Sequence, residues 1–427
     1  MVSPGRRGAA VSPARQPSLQ PLRRTKPHGS PAVRKTHGVE GERLWTRDLV
    51  FVLAGVFLLF TNTTGLVSVL PVVAGESGGS SAAGLVTGCF YFPAVATQLQ
   101  MPWVMNRVRA RWVLVAAFSL LGLPCVFYAI APGSLALVLA TTAVRGIGFG
   151  IATVAVGTLA AQLAPPARRG TVLGVSGLLA GIPPVFAPAT GLWLLDGVGA
   201  KAAFLAAGAV GVVGAVLSLA LHSRPAAGRP RPEGLLRAIV GPALRWPFSW
   251  FLIVSLTRGA AVSFVPLWLI HGGWASASTY LLVFGTLAYL ARWGGGRLVD
   301  RYGARRLVVP GAVSSLAGLV LLASGNHAGG AVVAAGLLFG LGYGLLATSS
   351  QLDMLSRWST DSFSVPTTAW NIAIDFGVGL GGVFIGLVAS IGGYSAAFWV
   401  LPVAMAFVLA LILLEPHPDR TGAEAKG

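Results

Sequence analysis

Five polar residues stand inside apolar stretches, where such side chains are expensive and therefore need partners: Asp375, Asn371, Arg258, Arg145 and Asn62. Asp375, in "WNIAIDFGVG", lies about 15 Å into its stretch at the ~1.5 Å rise of an α-helix. Burial favours the neutral form of such a carboxyl group and a nearby guanidinium favours the charged form, so an acid under both pressures can load and release a proton. The same residues allow a permanent ion pair with Arg258 or another arginine. Asn371 is one turn earlier on the same helical face, placed to orient Asp375 or to touch a solute. Arg145 opens "RGIGFG" and Arg258 is about as deep as Asp375. A guanidinium stays protonated, so each can bias a nearby acid, bind an anion or serve as a hydrogen-bonding hub. Asn62 belongs to "TNTT", a polar patch that suggests a wet cavity.

Other chemistries lack their residues. Cys89 and Cys125 both fall within apolar runs, and the six histidines show no ligand spacing, so no metal site is expected. There is no nucleophile with an adjacent base, no cluster of acids and histidines, and no phosphate-binding glycine loop. No enzyme activity and no bound cofactor are expected.

The elements that must position these residues are membrane helices. Of 427 residues 54% are hydrophobic and 10% charged, with mean hydropathy +0.74. A soluble domain carries about 25% charged residues. Twelve apolar runs of ~20 residues, each long enough to cross a bilayer core, cover roughly 48–72, 82–104, 112–131, 135–157, 171–195, 202–222, 247–270, 278–298, 307–325, 331–351, 366–389 and 395–414. The net charge of +18 follows topology and not nucleic-acid binding. With the N-terminus inside, the inner segments hold 27 of the 31 Lys and Arg. That bias sets both termini in the cytoplasm. Residues 1–44 and 416–427 read as polar tails, the first disordered and basic enough to touch anionic lipid. The Pro/Arg-rich stretch 223–246 divides a bundle over 45–222 from one over 247–415.

The halves resemble each other. "MNRVRARWVLV" from Met105 matches "VDRYGARRLVV" from Val299, and "RGIGFG" from Arg145 matches "FGLGYG" from Phe339, both at an offset of 194. "VSVLP" ending at Pro71 matches "VSFVP" ending at Pro266, at 195. A six-helix repeat is a common architecture among secondary transporters.

Between the eighth and ninth runs stands "GGRLVDRYGARR". It resembles the loop signature of the major facilitator superfamily, G-x-L-x-D-R-x-G-x-R-R, at Gly296, Leu298, Asp300, Arg301, Gly303, Arg305 and Arg306. The likeness extends over about 45–415. The first-half copy is degenerate, with Pro102, Asn106 and Arg109 at motif positions. The resemblance implies an all-α integral membrane fold of twelve transmembrane helices in two pseudo-symmetric six-helix bundles. It also implies a latch between the halves through Gly296, Asp300, Arg301, Gly303 and Arg305, while the same loop could simply hold topology.

Arg145, Gly146 and Gly150 resemble a fourth-helix signature of antiporter-like members, linked there to proton coupling. Gly174, Pro188 and Gly191 partly match that branch's fifth-helix motif. The resemblance therefore implies a secondary transporter that exports a small organic molecule, a drug or a metabolite, against a proton gradient, acting as a monomer. A proton symporter for uptake is the alternative, and a non-transporting sensor a further one. Three arginines within runs, Arg145, Arg258 and Arg292, against one aspartate favour an anionic or zwitterionic solute. The Ala-, Gly-, Arg- and Val-rich usage points to a bacterial plasma membrane.

Overall fold

The computed structural model describes residues 45–105, 107–165, 169–222, 233–271, 277–324, 329–357 and 364–415. The two tails and Asn106 lie outside the described residues, as does the side chain of Asp300.

Every element is a helix: α1 (Arg47–Val67), α2 (Val69–Met105), α3 (Ala110–Gly122), α4 (Cys125–Ile130), α5 (Leu135–Leu163), α6 (Arg169–Gly181), α7 (Pro183–Gly197), α8 (Ala200–Leu219), α9 (Glu233–Val240), α10 (Arg245–His271), α11 (Ala277–Tyr302), α12 (Ala304–Ala323), α13 (Gly329–Ser356) and α14 (Ser364–Leu414). Among the described residues, nine helical stretches are long and apolar enough to cross a membrane. Two of these, Arg47–Met101 and Val365–Leu414, double back at a left-handed glycine, Gly79 (φ 71°) and Gly393 (φ 77°). An L side chain resists that conformation, so glycine makes each turn without a loop. The interrupted pairs α3–α4 and α6–α7 each make one crossing, broken before Cys125 and at Pro183. α11 is as long as its neighbours but carries Arg292, Arg297 and Arg301. With it the crossings number twelve, in two halves of six.

The exterior suits hydrocarbon. Trp193, Val216, Phe384 and Val403 are exposed, as expected where lipid and not water is the solvent. The Pro/Arg-rich linker carries α9, which lies against α10 and α14. Ala238 of α9 is buried and Arg237 exposed.

The sequence repeat reappears in the packing. A Cβ on Gly146 would strike the carbonyl oxygen of Phe90, and one on Gly150 that of Ala94. At positions 194 residues later, Gly340 meets the carbonyl of Phe284 and Gly344 that of Ala288. Gly148 against Ala117 is repeated by Gly342 against Gly311. Small residues here bring backbones together, the usual source of helix association in lipid.

The halves meet along two seams, α2 with α14 and α7 with α11, and these are also related by the repeat. A Cβ on Gly379 would lie 3.0 Å from the Cβ of Tyr91; one on Gly285 would lie 3.1 Å from the Cα of Val185. Ser80, Gly84 and Thr87 extend the first seam toward the face opposite the Arg-rich loop, against Gly386 and Gly382. Thr87 Oγ1 also lies 3.2 Å from Ser263 Oγ of α10.

Gly340→Leu should lower the melting temperature of the detergent-purified protein, at a cost of roughly 1–3 kcal/mol or more from overpacking. Gly296→Ala, where a Cβ would meet nothing within 4 Å, should melt like wild type.

Candidate functional site

Asp375 is 6% exposed and sits on α14 where that helix faces α2. Its partner is Gln98, whose Nε2 donates to Asp375 Oδ2 at 2.7 Å. The bond joins the two halves. Among the described residues Asp375 forms no ion pair within 4 Å, so the permanent pair with Arg258 that the sequence allowed is absent. Arg258 is within Coulombic reach of the carboxylate and stands 5.4 Å from the centre of the Tyr343 ring. Asn371 is half-buried one turn from Asp375.

Around this bridge lies a belt of rings and cations. Arg292 faces Trp370 at 5.0 Å and Tyr289 at 5.9 Å. Trp370 stacks on Phe251 and donates from Nε1 to Ser350 Oγ at 3.0 Å, which fixes its plane. The Tyr289 ring crosses to the other half and rests against Gly181 of α6. Helices α2, α6, α10, α11, α13 and α14 thus all contribute.

Arg145 and Asn62 are elsewhere, inside the first half. Arg145 is 1% exposed. Its Nε donates to the Leu121 carbonyl at 3.1 Å and its Nη2 to Asn62 Oδ1 at 3.0 Å. Asn62 Nδ2 donates in turn to the Ala207 carbonyl at 2.6 Å. Phe90 and Tyr128 present ring faces to the guanidinium at 5.6 and 5.7 Å. This geometry is a hub tying α5 to α1, α3 and α8, beside a cavity of about 20 Å³, roughly one water's room. In "TNTT", Thr61, Thr63 and Thr64 each bond the carbonyl four residues back, while Thr63 lines this cavity and Thr61 lines a second one of about 240 Å³.

The loop residues are placed as follows. Gly303 (φ 82°) precedes α12 and makes the turn from α11. A Cβ on Gly296 would meet nothing within 4 Å, whereas one on Gly295 would lie 3.4 Å from Thr348. Arg301 covers the Tyr302 ring. Arg305 donates to the Glu415 carbonyl at 2.8 Å, and the Glu415 carboxylate pairs with Arg357, which also holds Asp353 at 2.7 Å. These contacts lie within the second half.

Gln98 and Tyr289 were missed from the sequence. A signal existed: at the offset of 194, Gln98 corresponds to Arg292, so both repeats place a polar side chain at one level.

The model of the Major Facilitator Superfamily matches residues 52–364 and 295–427. The chain belongs to that family. Uncharacterized MFS-type transporters of Burkholderia mallei (strain SAVP1) and Burkholderia pseudomallei (strain K96243) are each 28% identical to it over 153 residues. Those matches cover 36% of this chain and little more than a third, 37%, of each relative. Solved structures of superfamily members share the fold. The nucleoside transporter NupG superposes with TM-score 0.68 at 15% identity, covering 86% of this chain and 98% of that one. A bacterial homologue of the lysosomal transporter Spinster, in an inward-facing and unoccupied conformation, gives 0.69 at 16%, with 86% and 95% covered. A POT family transporter in complex with a thioalcohol-conjugated peptide gives 0.70 at 11%, with 86% and 96% covered. The superfamily chain described here is thus a multi-pass membrane protein with a transporter fold.

Asn62→Ala should destabilise the purified protein by about 1–3 kcal/mol, because it strips an acceptor from a buried cation. Asn371→Ala, which breaks no hydrogen bond among the described residues, should melt within a degree or two of wild type.

Proposed function

We propose that the protein exports a small organic molecule in exchange for protons by alternating access, with Asp375 as the proton-carrying group. The observation that carries this reading is the hydrogen bond from Gln98 to Asp375 across the two halves. A charged carboxylate accepts that bond as a charge-assisted one, roughly twice as strong as a neutral one. A protonated Asp375 keeps only a neutral bond, whichever group donates it. Proton loading therefore weakens a tie between the bundles, and proton release restores it. Isolated in hydrocarbon, the charge would cost roughly 2.5–3.5 kcal/mol, so the seam is where it can be held at tolerable cost.

Export is the direction favoured by the resemblance of Arg145, Gly146 and Gly150, and of Gly174, Pro188 and Gly191, to antiporter-like members. The positive-inside bias supports a plasma membrane with both termini in the cytoplasm. The loop from Gly296 to Arg306, including Asp300, is assigned the part of a latch at that cytoplasmic face.

The test is proton movement in proteoliposomes carrying an internal pH dye, with amphiphilic cations, neutral drugs and organic anions added in turn. Wild type should move protons when its solute is added, and in the direction opposite to the solute. Asp375→Asn, at unchanged melting temperature, should abolish that movement. Gln98→Leu should slow it by at least about tenfold, the loss of one charge-assisted bond. Equal coupling in Asp375→Asn would exclude Asp375 as the proton site, and movement of solute and proton in the same direction would make the protein a symporter.

A further inference from the structure

The repeat that relates the two seams also shows where their chemistry differs. Gln98 corresponds to Arg292 and Gly181 to Asp375, each pair 194 residues apart. At one seam a donor, Gln98, meets a carboxylate, Asp375. At the other, a stronger donor, Arg292, has as its counterpart a glycine with no side chain. The acid that symmetry would supply is missing, and Tyr289 lies against Gly181 instead.

Among the described residues Arg292 has no ion-pair partner, and only ring contacts are found at its guanidinium. Arg258 is in the same situation, facing the Tyr343 ring. Both are half-buried. Arg145 makes the contrast, since its hydrogen-bonding edges are used by Leu121 and Asn62 and it is closed off. Arg292 stands 5.9 Å from the Tyr289 ring and 5.0 Å from the Trp370 ring, and Arg258 stands 5.4 Å from the Tyr343 ring. The cluster holds two permanent cations against the single carboxylate of Asp375. One monoanion would bring it to neutrality. Guanidinium edges take a carboxylate in bidentate fashion, while their faces stay on the aromatic rings. The rings of Tyr289, Tyr343 and Trp370 would also hold an aromatic group beside the cations.

We propose that Arg292 and Arg258, flanked by Tyr289, Tyr343 and Trp370, form the receptor for an aromatic carboxylate, whose carboxyl group pairs with the Arg292 guanidinium. This names the solute class for the transport reading above and rests on that reading only for its physiological meaning. Binding itself requires neither a proton gradient nor translocation.

The experiment is equilibrium binding of 2-naphthoate to the full-length protein in detergent, with 2-naphthamide and 2-naphthylmethylamine as neutral and cationic counterparts of the same shape. Naphthoate should bind and raise the melting temperature, and the amide should bind at least about tenfold more weakly. Arg292→Gln and Arg258→Gln should each weaken naphthoate by at least about tenfold, and Arg292→Lys, which keeps the charge but not the fork, by less. The melting temperature of each variant without ligand separates lost binding from lost folding, and Arg292→Lys carries the test if the glutamine variants unfold. Absent naphthoate binding, equal binding of the amide, tighter binding of the amine, or unaltered binding in a folded Arg292 variant overturns the proposal. Naphthoate binding without proton-coupled flux in proteoliposomes would leave this site standing and remove the transport reading. Proton-coupled flux of a neutral or cationic solute without naphthoate binding would do the reverse.

Discussion

The two halves of the chain touch where side chains have been removed. At the α2–α14 seam, Gly84, Gly382 and Gly386 let two backbones approach so closely that a Cβ on Gly386 would be 2.7 Å from the Ser80 carbonyl oxygen. Hydrocarbon gives no hydrophobic drive to bring helices together, so association depends on such van der Waals fit and on a few polar contacts. Side chains seat in the glycine notches of this seam, Thr87 at Gly382 and Val383 at Gly88, and must withdraw for the surfaces to part. Inside each half the same device is locked. Gly146 and Gly150 are pressed to α2 within the first half, and Gly340 and Gly344 to α11 within the second. The proposed alternating access needs the contacts within each half to hold while those between the halves part.

Polar groups are distributed accordingly. Arg145 is spent inside the first half on Asn62 and the Leu121 carbonyl, and it supports that half as a body. Asp375, Gln98, Arg258 and Arg292 stand at or beside the boundary, where a solute could meet them between states. The hub and the boundary cluster both answer the rule that charge inside a membrane needs a protein partner. They differ in whether the answer is complete without a ligand.

The fold was largely legible in the sequence because both of its determinants are local. Twenty apolar residues must form a helix in lipid, and a repeat at one offset must give two like halves. The departures have physical causes. Gly79 and Gly393 turn the chain within a few residues, so Arg47–Met101 and Val365–Leu414 each run as one helical stretch. The helix α9 was overlooked, although "EGLLRAIV" spaces its apolar residues at helical period and Ala238 is buried. The site was less legible. Asp375, Arg258 and Arg292 could be found because charge in an apolar run is conspicuous. Gln98 carries no charge, and its meaning depends on a residue 277 positions away. Arg145 and Asn62 attracted attention by the same conspicuousness, yet sequence could not say that they would satisfy each other. Of the four consecutive polar residues at Thr61–Thr64, Thr61 and Thr63 line cavities, while each threonine also bonds its own helix backbone.

The central claim is that the boundary between the halves opens and closes during transport. Thr87 and Ser263 offer the most direct measurement, since their hydroxyl oxygens are 3.2 Å apart across that boundary. In a background with Cys89 and Cys125 replaced by serine, Thr87→Cys and Ser263→Cys together should form a disulfide under mild oxidation. The account expects solute exchange in proteoliposomes to stop in the oxidised protein and to return on reduction, while either single cysteine exchanges normally. Full exchange by the cross-linked protein would contradict it, because the halves would then work without parting at this boundary.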